Sequence, residues 1–129
     1  MTVSPLLDAE RRWEAEQRTT VVSYLDDEGI ARAEVGGEPA WAVYPYISLW
    51  AVESLKSPGW VGWWAISGDL PTDYCSADGI RDPRSAVRRI AERWNASLEQ
   101  QPSDIRPLLA SRVRLLLQWV EDRDIWPAS

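Results

Sequence analysis

Apolar and polar positions along the chain change period several times, and each change marks an element. Near the start, Leu6, Trp13, Gln17, Thr20, Val21, Tyr24 and Leu25 recur at helical spacing. Ser4-Pro5 supplies an N-cap and a first helical residue with preset φ, and Gly29 is a stop signal, so the spacing predicts a helix to about Asp27. Gly29–Pro39 then reads as a connecting loop around Gly36-Gly37, with room for only a short strand. Trp41-Ala42-Val43-Tyr44 is a brief extended piece that Pro45 confines to an edge or a bend.

Between Tyr46 and Tyr74 the period falls to two, and Val, Ile, Trp and Tyr crowd both arms of a predicted β-hairpin. Lys56-Ser57-Pro58-Gly59 breaks the run. A two-residue Pro58-Gly59 loop would pair Ser57 with Trp60, but its twist suits a hairpin poorly, so a four-residue loop pairing Leu55 with Trp60 is favoured. One face then carries Ile47, Leu49, Ala51, Glu53 and Leu55 with Trp60, Gly62, Trp64 and Ile66, and is the better core face. The other carries Tyr46, Ser48, Trp50, Val52 and Ser54 with Val61, Trp63, Ala65 and Ser67. Its two tryptophans call for a cover of their own: a helix, a second subunit or a partner.

After the hairpin, Gly68-Asp69 and Asp78-Gly79 are turn signals, and Tyr74–Ala77 is a candidate third strand. Asp82-Pro83 opens a second helix to about Gln100, with Val87, Ile90, Ala91, Trp94 and Leu98 as its apolar stripe. Gln101-Pro102 breaks the chain. Ser103 or Asp104 caps a third helix to about Arg123, with Pro107 in its first turn. Its face of Ile105, Leu108, Leu109, Val113, Leu116, Leu117, Trp119 and Val120 predicts deep packing. The order α-β-β-(β)-α-α predicts an α+β domain, a hairpin or three-stranded antiparallel sheet packed with about three helices. At 129 residues it reads as a single domain over 1–129.

Composition narrows the function classes. A net charge of −6 opposes general binding to nucleic acid or to an anionic membrane surface, and no run is long enough to span a bilayer. Histidine is absent, which removes Ser–His and Cys–His catalysis and His-ligated zinc. Cys75 is the only cysteine, and no secretory h-region is visible, so a reducing cytoplasm is the expected compartment. No cofactor motif and no metal-ligand spacing is found, so none is expected.

Some side chains remain as candidates for chemistry. Glu53 is the one charge on the apolar hairpin face: either a pKa-shifted acid or a rim carboxylate bonded to an Arg or a Trp N–H. Asp69, Asp73, Asp78 and Asp82 share one loop. Oxygen-rich loops hold hard cations, but each aspartate also has a local turn or cap to make, and the structural reading is favoured. Arg81, Arg84, Arg88, Arg89 and Arg93 form the basic region, for an acidic or phosphate ligand or for pairing with the chain's own carboxylates, the favoured reading.

The segments Trp50-Ala51-Val52-Glu53-Ser54, Ser57-Pro58-Gly59-Trp60-Val61-Gly62-Trp63-Trp64, Gly68-Asp69-Leu70-Pro71-Thr72-Asp73-Tyr74, Asp82-Pro83-Arg84 and Ala91-Glu92-Arg93-Trp94 occur in this order. Together they resemble a family of small, uncharacterised bacterial proteins classed as a domain of unknown function. The resemblance runs from about Trp41 to Trp94. It implies a bacterial cytosolic origin and no particular activity.

Two functions fit these residues. The first is a non-catalytic protein-binding or regulatory module, acting on a protein partner or as a homodimer. It would use a Trp-rich hairpin with Trp50, Trp60, Trp63 and Trp64, and Trp50 and Trp63 exposed on a flat patch. The second is a small-ligand binder or enzyme with a pocket between the sheet and the Asp69–Asp82 loop. There Glu53 with Asp69 or Asp73 would be the acid–base pair, Tyr74 a donor, and Arg84 or Arg88 an anion contact.

Overall fold

A computed structural model describes residues 5–127. The elements are α1 (Pro5–Asp27), β1 (Trp41–Val43), β2 (Ile47–Glu53), β3 (Val61–Gly68), β4 (Asp73–Ser76), α2 (Pro83–Ala96) and α3 (Arg106–Glu121), with 3-10 turns at Leu98–Gln100 and Arg123–Ile125. The fold is α+β. The four strands form one antiparallel sheet in the order β1-β2-β3-β4.

The hairpin takes the register of the four-residue loop, with Val52 opposite Trp63, Ala51 opposite Trp64 and Trp50 opposite Ala65. A bulge between Val52 and Glu53 then moves Glu53 opposite Val61 and leaves Gly62 as the extra residue. Only glycine fits there, because a Cβ on Gly62 would lie 2.9 Å from Ser54 Cα. At the far end of β3, Gly68 has φ +138°, and a Cβ there would overlap the Tyr46 carbonyl.

The sheet is wider than the two or three strands expected. Tyr46 N–H bonds Val43 C=O at 2.7 Å, which folds β1 back onto β2, with Trp41 opposite Leu49. Upstream, Val35 bridges Val52, and the backbones of Ala33, Glu34 and Gly36 bond to Glu53 and Ala51. Residues 33–43 thus form a broken edge along β2. Arg18 of α1 closes the outside of that edge, donating to the Val35 and Gly36 carbonyls at 2.8 and 3.0 Å. On the opposite edge, Arg93 of α2 donates to the Tyr74 carbonyl of β4 at 2.6 Å.

Both faces of the sheet are covered from within the chain. Ile47, Leu49, Trp64, Ile66 and Cys75 pack with Val87, Ile90 and Trp94 of α2 and Leu109, Val113, Leu116 and Val120 of α3. On the reverse face Trp50, Val52 and Ala65 pack with Val35 and with Val21 and Leu25 of α1. The cover required by the second face is therefore α1. Trp50 is fully buried, and its indole N–H is answered by Ser48 Oγ at 2.9 Å, itself 2.8 Å from Ser67 Oγ.

Helix ends follow local chemistry with two corrections. Asp82 caps α2 as expected, accepting from Ser85 N–H at 2.8 Å. However, α2 ends at Ala96 rather than near Gln100, because Ser97 N–H bonds back to Arg93 and Trp94 and the chain tightens into a 3-10 turn. Neither Ser103 nor Asp104 caps α3; Ile105 holds the cap position without a side-chain bond, and α3 stops at Glu121 rather than near Arg123. Its buried face is narrower than expected, since Ile105 and Leu108 are exposed. The Ser4 cap lies outside the described residues.

Candidate functional site

The hairpin tip runs beyond the reach of the helices, and this decides what its residues do. Parity puts Leu55 and Trp60 on the core face, but the bulge ends the regular ladder at Glu53, and both residues stay exposed. Trp60 N–H bonds Ser57 C=O and its own carbonyl accepts from Ser54 N–H, which closes the turn. Trp60 is 68% exposed, Leu55 61% and Val61 38%. The eight other tryptophans are buried or half-buried. The correction to the expected binding set follows: Trp50 and Trp64 are core, and Trp63 is half-buried against Tyr74 at 5.7 Å. Only Trp60 of the four stands free.

Two clefts flank Trp60. One, of about 500 Å³, runs between the tip and the broken edge and is lined by Arg18, Glu34, Gly36, Ala51, Glu53 and Trp60. The other, of about 610 Å³, lies on the Trp63 side and reaches Lys56, Ser76 and Asp78. Glu53 is a rim carboxylate. Its Oε2 accepts from Gly59 N–H at 2.8 Å and so ties the turn to the end of β2. Its bond goes to backbone rather than to the expected Arg or Trp N–H. Its nearest acidic neighbour in the cleft lining is Glu34, which lies 3.6 Å from Arg18.

The expected acid–base pair is not brought together. Asp73 is opposite Ile66, which is opposite Leu49. It is therefore four residues along β2 from Glu53 and two strands across, about 13 Å in one direction and about 10 Å in the other. Asp69 follows Gly68, at the opposite end of the hairpin from Glu53. The four aspartates of the loop also do separate jobs. Asp69 pairs with Arg112 of α3 at 2.8 Å, Asp82 caps α2, and Asp78 lies in an exposed turn. Asp73 is a strut: Oδ2 accepts from Trp94 Nε1 at 2.7 Å and Arg93 at 2.8 Å, and Oδ1 from Tyr74 N–H at 2.8 Å and Tyr24 Oη at 3.4 Å. Tyr74 is packed between Tyr24 and Trp63.

Among the described residues, three groups have shifted proton affinity. Burial, then the Asp73 and Glu28 charges, raise the Tyr24 phenol well above its ordinary range. Burial raises the Cys75 thiol, with Arg93 and Arg89 opposing, so this free cysteine is a poor nucleophile. Partial burial, with Glu10 and Glu38, raises Glu14. Of the arginines, Arg93 pairs with Asp73 as expected, whereas Arg84 and Arg88 line a cleft at the start of α2 with Arg123 and Trp126. Spacing gives no sign of that meeting, because Arg123 and Trp126 are brought there by α3.

These features define a small α+β domain whose sheet is covered on both faces and whose hairpin tip projects from the cover. Among the described residues no helix is long and apolar enough to cross a membrane. The chain belongs to the family described as a domain of unknown function, DUF4826, whose model matches residues 8–126. Comparison with curated proteins and with solved structures gives no match. The match covers more of the chain than the span from Trp41 to Trp94 on which the sequence resemblance rests.

Proposed function

We propose that the chain is a non-catalytic protein-binding module of the bacterial cytoplasm, and that the hairpin tip is its contact element. One observation carries this reading: Trp60 stands exposed beside Leu55 and Val61, while every other tryptophan has cover. An exposed indole next to aliphatic groups, with a cleft on each side, is the arrangement that anchors partners, since Trp dominates the energetics of interfaces. The turn beneath it is held by Glu53 on Gly59, so the indole is presented on a fixed support. The buried free thiol of Cys75 suits a reducing compartment.

Lys56 is the only lysine of the chain and sits exposed in the tip. An amine-reactive cross-linker therefore reports on this tip, with the α-amino group as the other target. In native lysate the expected result is a defined adduct at Lys56 that disappears in Trp60→Ala while Lys56 stays reactive. A Lys56–Lys56 adduct of the purified chain, with dimer in sedimentation, identifies the partner as a second copy. Adducts that persist unchanged in Trp60→Ala, or none at Lys56, overturn the reading.

A further inference from the structure

We propose a second site: the cleft between the start of α2 and the 3-10 turn after α3 takes a phosphate group. It uses none of the residues of the hairpin tip. The cavity is about 430 Å³ and is lined by Arg84, Arg88, Arg123, Asp82, Ser85 and Trp126. Three guanidinium groups thus face one cleft in a chain whose net charge is −6.

The one carboxylate in the cleft lining is bonded to Ser85 and offsets only one of the three guanidinium charges. Asp82 Oδ1 accepts from Ser85 N–H at 2.8 Å and Oδ2 from Ser85 Oγ at 2.9 Å. Arg84 is oriented by a 2.6 Å bond from its Nε to the Val120 carbonyl, which leaves its two terminal nitrogens for a ligand. Arg88 is half-buried, and neither it nor Arg123 has an ion-pair partner among the described residues. Pairing with the chain's own carboxylates, the expectation for this basic region, therefore holds for Arg93 but not in the cleft. Like charges gathered in a partly enclosed space repel, and a bound anion relieves that repulsion.

The chemistry of the donors selects the anion. Guanidinium forks match phosphate oxygens in paired hydrogen bonds. The wall is preformed: Trp126 stacks on Trp41 at 4.0 Å and donates its indole N–H to Trp119 C=O at 2.8 Å. The ligand class is a small phosphorylated molecule, with the phosphate on the arginines and its remainder along Trp126.

The test is calorimetric titration of the full chain with inorganic phosphate, a sugar phosphate and a nucleoside monophosphate, each against chloride at matched ionic strength. Saturable one-to-one binding of at least one probe is expected. Arg88→Gln and Arg123→Gln, each checked for an unchanged circular dichroism spectrum, should each weaken it about tenfold, and the double variant should abolish it. Tightest binding of inorganic phosphate would assign the site to the free ion, and of either ester to that class of carrier. No saturable binding of any probe to about 10 mM, or unaltered binding in the double variant, overturns the proposal.

Discussion

Replacing Asp73 by alanine tests whether this residue is a strut or a catalytic candidate. The carboxylate joins three elements, through Trp94 and Arg93 of α2, Tyr74 of β4 and Tyr24 of α1. Trp94 is 6% exposed, so its indole N–H would be left without an acceptor or water, at a cost of about 1–3 kcal/mol. The Arg93 pair is partly exposed, at 45% and 25%, and adds less than about 1 kcal/mol. The expected loss is therefore about 1–4 kcal/mol. For 129 residues the entropy of unfolding is about 0.27 kcal/mol/K, which converts that loss to a Tm lowered by about 4–15 °C. Asp73→Asn keeps one oxygen for Trp94 and should lose less than half as much. Urea unfolding followed by tryptophan emission measures both. A cycle with Trp94→Phe should give a coupling of about 1–2 kcal/mol. Coupling near zero, or an Asp73→Ala stability within about 0.5 kcal/mol of the wild type, would refute the strut.

Other perturbations have defined outcomes. Gly68→Ala forces a side chain onto the Tyr46 carbonyl at positive φ and should cost more than about 2 kcal/mol in urea unfolding, against less than about 0.5 for Gly37→Ala, which meets nothing. Ser48→Ala removes the acceptor of the buried Trp50 N–H and should cost about 1–3 kcal/mol, with a shift in near-ultraviolet circular dichroism. The Cys75 thiol and Tyr24 phenol are both raised in the folded chain, so the unfolded chain releases their protons first. Their contribution is full below the ordinary thiol range and falls as pH climbs past about 8.5 and then about 10. Denaturation midpoints should decline across that window, and Cys75→Ala with Tyr24→Phe should flatten the decline.

What the sequence displays of this fold is what local chemistry determines. Asp82-Pro83 marks the start of α2 because cap and first turn are neighbours in the chain. The hairpin register follows from alternation and the Pro58-Gly59 break. Pairings between distant segments leave no such trace. Val35 on Val52 and Trp41 on Leu49 depend on where a glycine-rich loop and a proline turn deliver the backbone. Burial is similarly hidden. Alternation assigns Trp50 and Trp60 to faces, but α1 covers the first while the second stays 68% exposed, a difference set by tertiary packing. The Arg84, Arg88, Arg123 and Trp126 cleft joins residues up to 42 positions apart, so no motif announces it.

The arginines on the two sheet edges bear on how these strands behave when crowded. ISLWAVE and VGWWAISG are apolar, rich in β-formers and low in charge, the composition of segments that stack into fibrils when an edge is left open. Here one flank is a strand broken at two glycines, with Arg18 seated on its carbonyls, and the other is four residues long with Arg93 on its backbone. A second sheet approaching either flank meets a bulky cation already bonded to the acceptors it needs. Both guards reach the sheet from helices, so they hold only while α1 and α2 are docked. Insoluble aggregate should therefore begin with helix undocking rather than with global unfolding.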